Sequence, residues 1–161
     1  MSGSADRPNV IPWPPLICGG LALAALASHW IAPLPWPEGG LRWVLTALGL
    51  VAAAAALALD ISAALAFRRH RTTIMPNRPA TALITSGPFA LSRNPIYVAN
   101  TLLVGGLGLV FGIGWLVIAA LLGALLTQKL AIEREERHLA ARFGADWQAY
   151  AARTPRWLIF R

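Results

Sequence analysis

Between Val44 and Phe67 the chain carries one ionisable side chain, Asp60, in an apolar run that ends at Arg68-Arg69-His70-Arg71. A helix over those residues is roughly 36 Å long and must tilt or protrude from a ~30 Å hydrocarbon layer. Three further apolar runs have the same character: about Leu16–Ala32, Pro95–Val110 and Trp115–Ile132. As helices, the first of these is roughly 26 Å long and the second about 24 Å. The chain is 57% hydrophobic, with a mean hydropathy of +0.56, well above the apolar share of a soluble protein. No compact water-soluble core absorbs so much apolar surface. The expectation is an all-α, polytopic membrane protein with about four transmembrane helices.

Pro33-Leu34-Pro35-Trp36-Pro37-Glu38-Gly39-Gly40 ends the first run, because repeated prolines cannot continue a helix. Residues 72–94 hold Pro76, Pro79, Gly87 and Pro88 and read as a polar connector. Asn94 and Pro95 have the chemistry of an N-cap and a first helical residue. Phe111-Gly112-Ile113-Gly114 marks the turn of a helical hairpin. After Ile132 the pattern becomes amphipathic, with Ile132, Glu135, Leu139 and Phe143 on one face until Gly144 interrupts. Arg134, Arg137 and Arg142 are left for water or headgroups, so this tail is expected along the membrane interface. Residues 1–161 then form a single membrane domain. Two N-terminal helices occupy 16–71, and 72–161 hold the connector, the hairpin and the interfacial tail helix. The first run stays apolar through Ile31, which favours a membrane helix over a cleaved signal peptide.

The net charge of +7 invites a nucleic-acid reading, but the bases form no stripe. They flank apolar runs, at Arg68, Arg69 and Arg71, at Arg78 and Arg93, and from Lys129 to Arg161. Basic flanks are retained on the cytoplasmic side. With four spans both termini fall there too, in what is expected to be a prokaryotic inner membrane. Tryptophans agree, with Trp30, Trp36, Trp43 and Trp115 at the far interface and Trp13, Trp147 and Trp157 at the near one. Cys18 is the only cysteine, which rules out an internal disulfide and a cysteine-rich metal site. His29, His70 and His138 lack metal-ligand spacing, so no metal centre is expected.

Two polar clusters bracket the hairpin: Ser92-Arg93-Asn94-Pro95-Ile96-Tyr97 before it and Glu133-Arg134-Glu135-Glu136 after it. Ionisable groups at a membrane boundary are costly and are functional candidates. Glu135 shares the apolar face and needs a partner if buried, for which a cationic ligand serves; Glu133 points roughly opposite. Solvated Glu–Arg pairing is the bland account of that cluster. Arg93 and a free helix N-terminus can meet an anion, although a capped helix with an interfacial Tyr explains the same residues. Gly105, Gly106, Gly108 and Gly112 have no strand before them and read as helix-packing positions rather than a phosphate loop. Asp60, a carboxylate within a span, is expected to meet the connector or a basic residue.

Leu83-Ile84-Thr85-Ser86-Gly87-Pro88-Phe89, Ser92-Arg93-Asn94-Pro95-Ile96-Tyr97, and then Glu135-Glu136-x-x-Leu139-x-x-x-Phe143-Gly144 with Tyr150 resemble the isoprenylcysteine carboxyl methyltransferases. The related phospholipid N-methyltransferases share this C-terminal design. The resemblance covers roughly residues 72–157 and rests on the order and spacing of these pieces. It implies an integral membrane methyltransferase using S-adenosyl-L-methionine, with a lipophilic acceptor entering from the bilayer. By position it puts Thr81, Ala82, Leu83, Ile84, Phe89, Asn94, Pro95, Ile96, Tyr97, Glu135 and Glu136 around the cofactor, with Glu135 and Arg93 at the reacting centre. Asn94 stands where the family motif commonly has His, which removes a titratable ring. Ala131 stands where eukaryotic carboxyl methyltransferases have a substrate-contacting Arg. The acceptor therefore stays open between a lipid amine, a prenylated or isoprenoid acid and a small hydrophobic thiol. A non-enzymatic scaffold or transport subunit, and a sterol-type membrane reductase with a nicotinamide cofactor, are the alternatives.

Overall fold

The computed structural model describes residues 13–70 and 82–158. Helix α1 spans Trp13–Ile31 and α2 spans Gly39–Arg69. A 3-10 turn at Gly87–Ala90 then leads to α3, Pro95–Phe111. Helix α4 covers Gly114–Thr127 and passes through a π-turn, Gln128–Ile132, into α5, Glu133–Arg153. No strand occurs among the described residues. The all-helical membrane architecture expected from the hydropathy pattern is the one found. Pro14–Ile31, Gly39–Arg69 and the continuous Gly114–Arg153 run contain stretches long and apolar enough to cross a bilayer, and α3 is a shorter apolar helix. In the last run the apolar part is α4 with the π-turn, whereas α5 is charged from its first turn.

Helix α2 is longer than its apolar core, at 31 residues or about 46 Å. Leu48, Leu50, Val51, Leu57 and Ile61 are exposed along it, as suits contact with acyl chains. Its other face crosses α3 where two glycines meet. A β-carbon on Gly49 would lie 2.6 Å from the Gly106 carbonyl oxygen, and one on Gly106 would lie 2.8 Å from that of Gly49. Such small residues let helix backbones approach closely in lipid, where no hydrophobic force drives helix against helix. Gly105 and Gly108 face α4 at Ala120 and Leu116, so these glycines are packing positions, as expected. Helix α1 packs on α4 through Ala25, Leu116 and Ala119, with Leu21 and Val104 around them.

The α3–α4 turn closes at Gly112, whose φ of 71° is left-handed and whose Cα lies against Trp36. Trp115 Nε1 donates to the Ala32 carbonyl at 2.8 Å, joining the α1 and α4 ends. Trp30 and Trp43 are strongly exposed nearby, as an interfacial belt requires. The opposite end departs from expectation. Trp147 is buried, and Trp157 Nε1 donates to Gln128 Oε1 at 2.8 Å, so both are tied into the protein instead of facing headgroups. The side chain of Trp13 lies outside the described residues.

Candidate functional site

The site begins with the chain's entry into α3. Gly87–Ala90 form the 3-10 turn, and Ser92 follows, fully buried. Its hydroxyl accepts the Asn94 N–H at 3.0 Å and donates to the Arg156 carbonyl at 3.0 Å. Asn94 occupies the N-cap position and its carbonyl accepts the Tyr97 and Val98 amides, but its side chain does not cap. Its amide instead donates to the Arg156 carbonyl at 3.1 Å. Pro95 at the first helical position supplies the fixed φ, as read from the sequence. The main-chain N–H of Arg93 donates to the Pro155 carbonyl at 2.9 Å. Ser92, Arg93 and Asn94 are thus stitched to the segment that leaves α5.

Helix α5 can return to this loop because Gly144 breaks its course at φ 51°, ψ −119°. Trp147 and Tyr150 then turn inward, and Tyr150 donates to the Phe89 carbonyl at 2.7 Å. Phe89 packs edge-on against Phe67 of α2, ring centroids 5.4 Å apart. At the start of α5, Tyr97 donates its hydroxyl to Glu135 Oε2 at 3.2 Å. The two polar clusters, distant in sequence, meet here. Burial pushes the Glu135 carboxyl above the usual carboxylate range, against the lowering effect of the Tyr97 hydrogen bond.

The neighbouring acids behave differently. Glu136 accepts Arg156 in a fork, at 3.0 Å from Nε and 2.6 Å from Nη2, and pairs with Arg93 Nη1 at 3.2 Å. The Glu136 hydrogen bond keeps the Arg156 guanidinium firmly charged. Glu133 is partly exposed and pairs with Lys129 one turn earlier at 2.8 Å, which lowers its pKa. Arg93 also lies over the Trp147 ring, 5.6 Å from its centroid, within cation–π range.

Around Tyr97 and Glu135 opens a cavity of about 370 Å³, within the range of small-molecule sites. Arg93, Asn94, Pro95, Ile96, Phe89 and Asn100 line it, with Phe67 of α2 and Pro14 and Pro15 of α1. A smaller hollow of about 70 Å³ adjoins it, sharing Phe67, Phe89, Arg93 and Glu135. Ala82, Leu83, Ile84, Leu139, Trp147 and Tyr150 complete that second wall. The start of α1, the end of α2 and the starts of α3 and α5 therefore lie at one end of the bundle.

The structure brings together Ala82, Leu83, Ile84, Phe89, Arg93, Asn94, Pro95, Ile96, Tyr97 and Glu135 on these two walls. Thr81 lies outside the described residues. Glu136 is not on either wall; it borders a shallow groove with Glu133, Arg137, Ala140 and Arg156. Asp60 makes no salt bridge among the described residues, and residues 72–81 of the connector it was expected to meet lie outside them. Sequence reasoning missed Pro14, Pro15 and Phe67, which carry no signal beyond apolarity, and it missed Arg156. The break in helical pattern at Thr154-Pro155-Arg156-Trp157 was the available clue to the last.

The arrangement offers one carboxylate held only by a phenol and one guanidinium whose Nε is buried without a partner among the described residues. Apolar and aromatic walls surround both. Such a site can take a molecule bearing a positive and a negative group on an apolar frame.

The phospholipid methyltransferase family model matches residues 44–146 of this chain. The chain is 39% identical over 79 residues to the nickel-cobalt-cadmium resistance protein NccN of Alcaligenes xylosoxydans xylosoxydans, a match covering 48% of this chain and 36% of that protein. It is 36% identical over 98 residues to the cobalt-zinc-cadmium resistance protein CzcN of Cupriavidus metallidurans, covering 60% of this chain and 44% of that protein. The chain thus spans less than half the length of either relative.

Proposed function

This chain belongs to the phospholipid methyltransferase family, and from that premise we propose that it transfers a methyl group from S-adenosyl-L-methionine to a lipophilic acceptor at the cytoplasmic membrane face. The observation that carries this reading is the 3.2 Å contact of Tyr97 with Glu135 on the wall of a cavity of about 370 Å³. S-adenosylmethionine supplies a methyl group on a sulfonium, with an ammonium and a carboxylate as handles. The residues present fit such a molecule. Arg93, with its unpartnered Nε, would take the carboxylate, and Glu135 would face a cationic part of the donor or of the acceptor. Ala82, Leu83 and Ile84 would cover the cofactor from the connector side. Thr81 is carried in the same role by its position in the motif.

Methyl transfer is an in-line displacement, so the protein's contribution is alignment and exclusion of water. Phe67, Phe89, Pro14 and Pro15 provide the apolar wall, against which an acyl or isoprenoid chain from the bilayer would lie. Tyr97, by its bond to Glu135, fixes the carboxylate's direction. An ammonium acceptor must lose a proton before it attacks, and Glu135 would receive it. A carboxylate or thiolate acceptor asks only for alignment.

The test is incubation of purified protein with radiolabelled methyl donor and total membrane lipid, followed by identification of the labelled product. Label in a lipid or isoprenoid fraction is the expected result, and its absence with every lipid fraction overturns the reading. The relatives' names concern metal resistance, so the metal tolerance of a deletion strain is a second readout.

A further inference from the structure

Arg156 lies outside both cavity walls, yet it contacts the two neighbours of Arg93 in the chain and the carboxylate that pairs with it. Its carbonyl anchors Ser92 and Asn94 on either side of Arg93. Its guanidinium grips Glu136 through both carboxylate oxygens, while Arg93 reaches the same carboxylate with one nitrogen only. Two guanidiniums against one carboxylate leave a net positive charge on the triad. At the Arg93 end of the triad Nε is buried and unpartnered among the described residues, and the side chain borders both hollows. A carboxylate readily accepts a planar guanidinium in a two-pronged fork. Without Arg156, Glu136 is free to take Arg93 in that fork and consume the charge.

We propose that Arg156 is a positioning residue that occupies Glu136 and so keeps Arg93 available to the anionic end of a ligand in the cavity. This rests on the methyl-donor reading above and extends it to a residue that does not touch the ligand. Glu136, in this account, is the counter-charge of the pair and makes no direct contact with the cofactor.

The main-chain anchors survive a side-chain change, so Arg156→Gln separates the charge from the clasp. Two probes distinguish the outcomes: S-adenosylhomocysteine, which carries the carboxylate, and 5′-methylthioadenosine, which lacks the amino-acid tail. Equilibrium binding to purified protein in nanodiscs is expected to show about tenfold weaker S-adenosylhomocysteine affinity in Arg156→Gln, the scale of one charged hydrogen bond. Methylthioadenosine affinity stays at the wild-type value. Adding Glu136→Gln to that variant removes the competitor for Arg93 and restores S-adenosylhomocysteine binding, which loss of a purely structural salt bridge would not do. Unchanged S-adenosylhomocysteine affinity in Arg156→Gln, equal loss of both probes, or failure of the double variant to recover overturns the inference. Should Arg156→Gln fail to fold, Glu136→Gln alone decides: retained or tighter S-adenosylhomocysteine binding supports the proposal, and loss of it refutes it. Wild-type protein that binds neither probe instead removes the methyl-donor reading itself.

Discussion

At one end of the bundle Trp36 lies against Gly112, Leu34 against Gly114, and the Trp115 indole bonds to the Ala32 carbonyl. At the other end Tyr97, Glu135, Arg93 and Phe89 surround open space. Both ends join the same helices, and both use aromatic residues. The difference lies in how polar groups are partnered. The closed end has a short turn, and its Trp115 indole N–H is satisfied by a nearby carbonyl, with one buried nitrogen, His29 Nδ1, lacking a partner among the described residues. The open end spends many hydrogen bonds on fixing the loop at 92–94 and the segment at 154–157, and leaves Glu135 and Arg93 lining the hollow, with the Arg93 Nε buried and unpartnered among the described residues. The contrast implies that changes at the open end remove activity with little loss of fold, and changes at the helix crossing or closed end do the reverse.

The largest effect is expected at Glu135. Glu135→Gln keeps the shape and the Tyr97 contact but removes the charge and the basic oxygen. Turnover should fall by on the order of 10²–10⁴ with an amine acceptor, the usual contribution of a general base, while unfolding in detergent is unchanged. The pH profile sharpens the test. Burial raises the Glu135 pKa, and the reactive form is the deprotonated one. Activity should therefore rise with pH through a step above the ordinary glutamate range, and that step should vanish in the variant. Wild-type turnover by Glu135→Gln would make the two ends functionally alike.

Next comes Gly49→Ala, between the two ends. Its β-carbon would lie 2.6 Å from the Gly106 carbonyl oxygen, and backbone cannot yield as a flexible side chain does. Overpacking of this kind costs about 1–3 kcal/mol. Denaturant titration in micelles should show that loss, with activity per folded molecule preserved. An effect of comparable size belongs to Tyr97→Phe, which deletes the 3.2 Å bond to Glu135 and nothing else. A hydrogen bond to a charged group is worth about 1.5–3 kcal/mol, so turnover should drop by about tenfold to a hundredfold. A loss of stability without loss of turnover would move Tyr97 from the site to the scaffold.

Much of this contrast was legible in the chain. Lipid imposes the helices, because every backbone polar group must be satisfied within the segment. Runs such as Val44–Phe67 therefore announce themselves, and Gly112 announced its turn. The meeting of Tyr97 with Glu135 was legible because each begins a helix at the same end of one hairpin, and a hairpin brings such ends together. What stayed hidden was tertiary. Phe67 looks like any apolar residue at a helix end, and Pro14 and Pro15 like any helix start. The first two helices thus read as membrane anchors although they supply part of the cavity wall. The side chain of Asn94 read as a helix cap because local chemistry favours that use. A carbonyl contributed by Arg156, 62 residues away, takes its amide instead. The adjacent glutamates were harder to tell apart, since the partners that separate them, Arg93 and Arg156 on Glu136 and Tyr97 on Glu135, come from distant parts of the chain.

The smallest effect tests the closed end on its own. Trp115→Phe keeps an aromatic ring but removes the N–H that donates to the Ala32 carbonyl at 2.8 Å. A neutral hydrogen bond of this kind contributes about 0.5–1.5 kcal/mol. The contact is exposed, so water can replace the lost donor at Ala32 and the cost belongs at the lower end of that range. Because α4 runs without interruption through the π-turn into α5, a loosened α1–α4 junction could in principle be transmitted to Glu135. The Gly108–Leu116 contact and the Ala25–Ala119 packing lie between them and hold α4 against α3 and α1. Thermal unfolding of Trp115→Phe should therefore shift down slightly, with S-adenosylhomocysteine affinity at the wild-type value. A variant that weakens binding as strongly as Arg156→Gln would mean that the closed end sets the geometry of the open one, and the division between them would fail.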